Sequence, residues 1–176
     1  MLLTSFDSAT ATADVSSRVI SGLALPYGVP GRPGGADRAV VFAAGSLSRS
    51  LSERSSRVRL IVDHDRSRPV GRLVEWSEDE AGLSTSWRLA NTPAADAVLA
   101  EAADGVRDGL SVGVEVIRSA PRGGVLEVLE GKLVEVSLVA FPAYEAARVE
   151  RVAASDSPTI PGRDPRTLRL RLTLGD

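Results

Sequence analysis

The sequence predicts a compact, β-rich α+β domain with a barrel-like sheet and one or two main helices. Most apolar residues recur with the period of two that is typical of strands, whose alternate side chains lie on opposite faces. One stretch with helical spacing interrupts this pattern, and Gly- and Pro-rich turns separate the strands. Because 43% of the residues are hydrophobic and only 4% are aromatic, we expect a core built mainly from Val, Leu, Ile and Ala.

The first strand is predicted over residues 18–24 (RVISGLA). A Gly- and Pro-rich loop follows it and ends near Val40. A short helix is predicted next, with Ser46 as its N-cap, because Leu47 and Leu51 at i,i+4 spacing would share one helix face.

The clearest strand of the first half covers residues 57–64 (RVRLIVDH). Its alternation places His64 at the end of the strand, on one face with three apolar residues: Val58, Leu60 and Val62. Residues 70–76 and 83–89 also alternate, and the acidic segment SEDEAG lies between them. This pattern predicts a hairpin.

A helix is predicted to begin at Pro93, since Pro is favoured at the first helical position and Thr92 is a good N-cap. Two further strands are predicted over residues 110–117 and 132–140. A turn rich in Pro and Gly joins them as a second hairpin.

Both ends of the chain differ in composition from this central part. Residues 1–17 are rich in Ser, Thr and Ala and predict a flexible arm, so we expect the folded domain over residues 18–152. Residues 153–176 begin as a Pro-rich linker and end in the alternating segment RLRLTL. This strand-like tail has no strand beside it in the sequence, so we expect it to pair with another chain or with a distant sheet edge.

Composition excludes several classes of function. The chain has no Cys and one His, which excludes disulfide scaffolds, Cys nucleophiles and multi-histidine zinc sites. A net charge of -2 gives no electrostatic case for nucleic-acid binding, and no apolar run is long enough for a membrane span. The expectation is a cytoplasmic protein without a cofactor, a metal, a nucleic-acid partner or a membrane partner.

Three residues are candidates for chemistry. His64 is flanked by acids in Asp63-His64-Asp65, and imidazole is the usual general base near pH 7, although a single His can equally be structural. Ser111 lies between glycines in GLSVG, which would let backbone amides approach an oxyanion, but a simple Gly-Ser turn has the same pattern. The nucleophile elbow of α/β-hydrolases is excluded, because that fold requires a His after the Ser.

Glu135 is the third candidate because it lies within an apolar strand, where an unpaired carboxylate is costly to bury. It could form a structural ion pair with an arginine. It could instead orient an imidazole and stabilise its protonated form, as the acid of a Ser-His-acid triad does.

Several segments occur in an order that resembles a known family. They are ISGLALPYG, FAAGSL, VRLIVDHD with the following PVGR, DEAGLSTSWRL, DGLSVGVEV and LVEVSLVAFPAYEAARV. Together they resemble the prohead (capsid maturation) serine proteases of tailed bacteriophages, a family distantly similar in fold to the herpesvirus assemblins. The resemblance covers roughly residues 18–152, and the H-D, G-L-S-x-G and E-V-S-L-V-x-x-P-A pieces are its most specific parts.

This resemblance implies a herpesvirus-protease-like domain with His64 as catalytic base and Ser111 as nucleophile. Glu135 falls on the third position, where assemblin-like enzymes use a second His that this chain cannot supply. Ser137, deep in the strand pattern, is rejected as an alternative nucleophile. The implied substrates are the scaffold region of the major capsid protein and the protease itself. The implied setting is a self-associating protein, a homo-oligomer, inside the procapsid in the host cytoplasm.

Two other functions are compatible with the sequence. A catalytically silent scaffold or assembly factor with the protease fold would be expected to lack the His or the Ser. A β-rich interaction module would leave His64 and Ser111 far apart in space.

Overall fold

The computed structural model describes residues 18–153, which form one mixed eight-stranded sheet and two α-helices. The strands are β1 (Val19–Pro26), β2 (Val40–Phe42), β3 (Arg59–Val62), β4 (Asp65–Glu78), β5 (Gly82–Leu89), β6 (Gly109–Arg122), β7 (Val125–Val139) and β8 (Val149–Ala153). The helices are α1 (Ser48–Arg54) and α2 (Pro93–Ala103), and single 3₁₀ turns cover Pro33–Gly35 and Ser55–Arg57. Neither α-helix of this described part is long and apolar enough to cross a membrane.

β7 is the central strand of the sheet. On one side it pairs antiparallel with β6 over nearly its whole length. On its other side it pairs in parallel with β2 near Leu126 and with β3 near Val136. From β3 the sheet continues through β4, β5 and β1 to β8.

The two ends of this strand order meet, so the sheet closes. The Leu110 amide donates to the carbonyl oxygen of Ala147 at 2.8 Å, and the Val149 amide donates to that of Asp108 at 2.8 Å. These bonds join the start of β6 to the start of β8. The barrel-like, β-rich α+β fold predicted from the sequence is therefore confirmed.

The core fills the inner face of the sheet with mainly aliphatic side chains, together with the fully buried Trp87. Its fully buried members include Leu60, Val62, Val136 and Leu138, which belong to the paired strands β3 and β7. Burying each side chain of this size contributes about 1.5–3 kcal/mol relative to leaving it in water. The strands that carry the candidate residues are thus anchored by the core.

One of the two predicted helix N-caps is present in the structure. Thr92 caps α2 as predicted, since its Oγ1 accepts a hydrogen bond from the Ala95 amide at 3.3 Å. The predicted Ser46 cap is wrong, because α1 has Leu47 at its N-cap position and no side-chain cap bond. Leu47 and Leu51 are both fully buried, so apolar burial fixes this short helix.

Two strand predictions need correction. The strand predicted over 57–64 ends at Val62, and His64 lies in a turn, off the strand face. β8 was not predicted, because its sequence VERVA is short and partly charged, and its pairing with β1 is distant in the chain. The predicted arm (1–17) and all of the tail after residue 153 lie outside the described residues.

Candidate active site

His64 lies in a tight turn between β3 and β4. Val62 pairs with Asp65, so Asp63 and His64 form a two-residue hairpin loop, with φ values of 51° and 59°. Positive φ at both loop residues is the requirement of a type I′ turn, which matches the twist of the flanking strands. Asp and His tolerate this region better than most residues other than glycine. The turn directs the imidazole to the side chains of β6 and β7 that it contacts.

The register of the β6–β7 hairpin places the other two candidates side by side. Ser111 pairs with Ser137, and Gly113 pairs with Glu135. Ser111 and Glu135 are therefore diagonal neighbours on one face, within reach of a side chain that lies between them. Because Ile61 of β3 pairs with Ser137, the His64 turn that follows β3 lies next to both of them.

The three predicted residues form a hydrogen-bonded chain. His64 Nε2 lies 3.1 Å from Ser111 Oγ, and His64 Nδ1 lies 2.7 Å from Glu135 Oε1. An ionised carboxylate can only accept, so Nδ1 carries the proton and Nε2 is left as the acceptor for the Ser111 hydroxyl. This tautomer is the one that a general base needs for activating a serine.

Exposure differs along this chain of groups. The Glu135 side chain is 9% exposed, whereas the His64 side chain is 48% exposed. Ser111 is buried at 8% exposure, next to the open imidazole. The imidazole is thus accessible to solvent, while the carboxylate stays shielded behind it.

Ser137, which the sequence analysis named only as a rejected alternative nucleophile, is a fourth member of the site, and its supporting role was not predicted. Its fully buried hydroxyl donates to Glu135 Oε2 at 2.8 Å and accepts from the His64 backbone amide at 3.0 Å. It therefore fixes both the carboxylate and the turn that carries the imidazole. The alternation of β7 contained the signal, since a serine two residues after Glu135 must share its face.

The glycines of GLSVG have a packing role that the sequence did not predict. A Cβ on Gly113 would clash with Glu135 Oε1, so the missing side chain makes room for the carboxylate. A Cβ on Gly109 would lie 2.7 Å from Pro142 Cδ and 2.8 Å from the Val139 carbonyl oxygen. Both glycines are explained by close contacts, with β7 for Gly113 and with the end of β7 and the following Pro142 for Gly109.

An ion-pair cluster connects the His64 turn to the loop before β6. Arg107 pairs with Asp63 through one guanidinium nitrogen, and its Nε donates to Glu101 Oε2 at 2.8 Å. The hydrogen bond to Glu101 is the main factor that raises the pKa of Arg107 above its ordinary value. Ser111 follows four residues after Arg107, so this cluster ties the two halves of the site together.

A closed β-rich domain that brings a hydroxyl, an imidazole and a buried carboxylate into one hydrogen-bonded line has the site geometry of a serine hydrolase. The family model described as caudovirus prohead serine protease matches residues 5–159 of the chain. The chain therefore belongs to the caudovirus prohead serine protease family, as its sequence motifs predicted.

Comparison with solved structures found a similarity to KSHV protease in complex with a hexapeptide phosphonate inhibitor. The identity is 13%, the TM-score is 0.46, and the match covers 74% of this chain and 63% of the KSHV protease chain. This chain thus spans less than two thirds of that protein's length. No curated protein matched the sequence.

Proposed function

We propose that this protein is a serine endopeptidase in which Ser111 is the nucleophile, His64 the general base and Glu135 the residue that orients and stabilises the imidazole. The observation that carries the proposal is the position of the imidazole, which hydrogen-bonds Ser111 Oγ through Nε2 and Glu135 Oε1 through Nδ1. The family membership supports the same reaction class.

Acylation begins when His64 Nε2 removes the proton of the Ser111 hydroxyl and Ser111 Oγ attacks the carbonyl carbon of a peptide bond. The protonated imidazole then gives this proton to the leaving amine, and an acyl-enzyme remains on Ser111. Water attacks the ester by the same base catalysis and releases the acid product. A positioned base of this kind contributes about 10²–10⁴-fold to the rate.

Glu135 acts on the charge that appears on His64 during each proton transfer. Its carboxylate is nearly buried and lies 2.7 Å from Nδ1, so little water screens its attraction for the imidazolium. The Ser137 hydroxyl holds the second carboxylate oxygen, which leaves Oε1 facing the imidazole. Glu135 itself keeps its negative charge through the cycle.

Membership of the prohead protease family supports a proposal for the substrates and the setting. We propose that the enzyme cleaves the scaffold region of the major capsid protein and its own chain, inside the procapsid in the host cytoplasm. A homo-oligomeric state belongs to the same proposal. The rival function, a silent assembly factor with this fold, has no observation in its favour, since all three groups are present and in contact.

Co-expression with the capsid protein encoded beside it tests this proposal. The wild-type chain is expected to shorten the capsid protein or itself by intact mass, and Ser111→Ala is expected to leave both at full length. Ser119→Ala is a matched control, because Ser119 lies exposed on the same strand and should leave cleavage unchanged. Cleavage by Ser111→Ala would remove Ser111 as the nucleophile. Assembly of particles without cleavage by any form would favour the silent assembly factor.

A further inference from the structure

Three arginines lie directly opposite one another on adjacent strands. Arg59 of β3 pairs with Arg72 of β4, and Arg72 pairs with Arg88 of β5. Directly paired residues project from the same face of a sheet, with their Cβ atoms about 4.5–5.5 Å apart. We name Arg59, Arg72 and Arg88 the arginine row; all three are exposed.

Nothing in the described part of the chain neutralises this row. Within residues 18–153 no carboxylate lies within 4.0 Å of any of the three guanidinium groups. Among the described residues, Arg59 donates only to the backbone carbonyls of Ser56 and Val58, at 2.7 and 3.0 Å. Like charges directly opposite on neighbouring strands destabilise a sheet, and arginine keeps its charge at any working pH. The arginine row therefore destabilises the sheet locally, and the needs of folding alone do not explain its presence.

The same residues line a concave surface. A cavity of about 260 Å³ is bounded by the arginine row together with the apolar residues Pro69, Val70 and Leu89. Guanidinium groups around an apolar floor suit a carboxylate side chain and the aliphatic chain that carries it. The cavity thus combines cationic groups that suit an anion with an apolar surface that suits the carbon chain bearing it.

The row lies on the same face of the sheet as the candidate active site. Leu60 pairs with Val136, and both are fully buried in the core. Arg59 and Glu135 each precede one of these residues, so both point to the outer face. Strands lie about 4.8 Å apart, and Arg59 precedes by two residues the Ile61 that is in register with Ser111 through Ser137. These offsets put Arg59 about 12 Å and Arg88 about 20 Å from Ser111.

We propose that the arginine row is a docking site for acidic side chains of a protein substrate. An extended peptide rises about 3.3 Å per residue, so a chain bound at Ser111 reaches the row about three to six residues from the scissile bond. The proposal rests on the proposed proteolytic function and adds a preference for Asp or Glu at that distance, on one side of the cleavage point. A peptide is favoured over a nucleic acid because the cavity wall is apolar and the chain carries a net charge of -2.

Cleavage-site profiling on a library of denatured peptides tests the preference. The full-length wild-type chain is expected to show enrichment of Asp and Glu three to six residues from its cleavage points, at least severalfold over their background frequency. The variant Arg59→Gln/Arg72→Gln/Arg88→Gln is expected to lose this enrichment. A control with the same charge change, Arg49→Gln/Arg118→Gln/Arg122→Gln, should keep it, because those exposed arginines lie outside the cavity.

A binding measurement separates failure of this proposal from failure of the proteolytic function. Full-length Ser111→Ala protein is titrated into a labelled peptide of alternating Glu and Gly, and the row variant is expected to bind it at least tenfold more weakly. Cleavage without acidic enrichment would overturn the docking site and leave the protease intact. Equal binding of a peptide of alternating Gln and Gly, or tighter binding of a single-stranded DNA oligonucleotide of equal charge, would also overturn it.

Thermal stability distinguishes a docking role of the arginine row from a structural one. The melting temperature of the row variant is expected to equal or exceed that of the wild type, since the substitutions remove like-charge pairs. A large decrease would indicate a structural role for the row and contradict the proposal. The single variant Arg72→Gln, at the centre of the row, serves if the triple variant does not fold.

Discussion

Two hairpin turns of this protein both have positive φ at their two loop residues, but they differ in residue type. The turn between β3 and β4 holds Asp63 and His64 at φ values of 51° and 59°. The turn between β6 and β7 holds Gly123 and Gly124 at φ values of 57° and 85°. Glycine adopts these values without a steric penalty, whereas other residues lose about 1–2 kcal/mol each.

The strained turn is the one that carries the candidate chemistry. Its amides are held from outside, since His64 N donates to Ser137 Oγ at 3.0 Å and Asp63 N donates to the Leu138 carbonyl oxygen at 3.2 Å. The glycine turn has no neighbour within 4 Å of either position where a Cβ would be. A costly backbone conformation persists where the surroundings fix it and where a particular side chain is needed. The following variants test this difference.

The largest effect on cleavage is expected when a residue of the β3–β4 turn is replaced by glycine, the residue type of the β6–β7 turn. His64→Gly fits the observed φ but removes the imidazole from between Ser111 and Glu135. Cleavage of the capsid protein should decrease by about 10³-fold or more, because the residues of a triad act as a unit. Rate measurements on purified protein with an unchanged circular dichroism spectrum check this. Activity within tenfold of the wild type would show that His64 is not the base.

Ser137→Ala should have a smaller effect, because it removes support and leaves the reacting groups in place. Loss of a hydrogen bond to a buried carboxylate corresponds to about 1.5–3 kcal/mol, or about 10- to 150-fold in kcat, and the His64 amide loses its acceptor as well. KM should stay unchanged, since Ser137 is fully buried and does not reach substrate. Steady-state kinetics separate the two constants. A complete loss equal to that of Ser111→Ala would contradict a supporting role.

Exchanging the residue types of the two turns should shift stability in opposite directions. Asp63→Gly removes the steric strain of one non-glycine residue at positive φ, and it also removes the exposed ion pair with Arg107, which contributes little. We therefore expect the free energy of unfolding to increase by up to about 1 kcal/mol. Gly124→Ala introduces the same penalty and should destabilise by about 1 kcal/mol, with cleavage unchanged. Urea denaturation of both variants measures these shifts. Shifts of the same sign would refute the comparison.

The smallest effect concerns pH at the strained turn. The hydrogen bond from Ser67 Oγ and that from the Ser67 amide lower the pKa of Asp65 below its ordinary value of 3.8. A depressed carboxyl pKa stabilises the fold above the unfolded pKa, and this contribution is lost as pH falls through the folded value. Amide hydrogen exchange near His64 should therefore accelerate relative to that near Gly124 below about pH 4. An Asp65→Asn variant should remove the difference.

The fold was predictable where the pattern is local. Alternation located six of the eight described strands at least approximately, whereas the three-residue β2 lies where the sequence predicted only the end of a loop. Thr92-Pro93 marked the start of α2 because a cap and a proline act within one turn. β8 depends on a distant partner in β1, which no local pattern encodes. The end of β3 was predicted two residues late, because Asp63 and His64 continue the alternation in sequence while the backbone turns.

The three residues of the candidate triad were predictable from the sequence, whereas the residues that hold them in place were not. Each of His64, Ser111 and Glu135 stands out in the sequence, as the single His, a serine between glycines and an acid in an apolar strand. The supporting roles of Ser137 and Arg107 were not predicted, since their contacts depend on the register of β7 against β3 and on the loop before β6. Gly113 was noticed for its backbone freedom, but its importance lies in the space it leaves for Glu135.

Labelling with a fluorophosphonate probe, followed by peptide mass spectrometry, tests the central claim most directly. The probe reacts with a serine that a neighbouring base activates. We predict a single adduct, on Ser111, that is absent from Ser111→Ala and slowed by orders of magnitude in His64→Gly. An adduct on Ser137, or labelling of the wild type that persists in Ser111→Ala, would contradict the assignment of the nucleophile and with it the proposed mechanism.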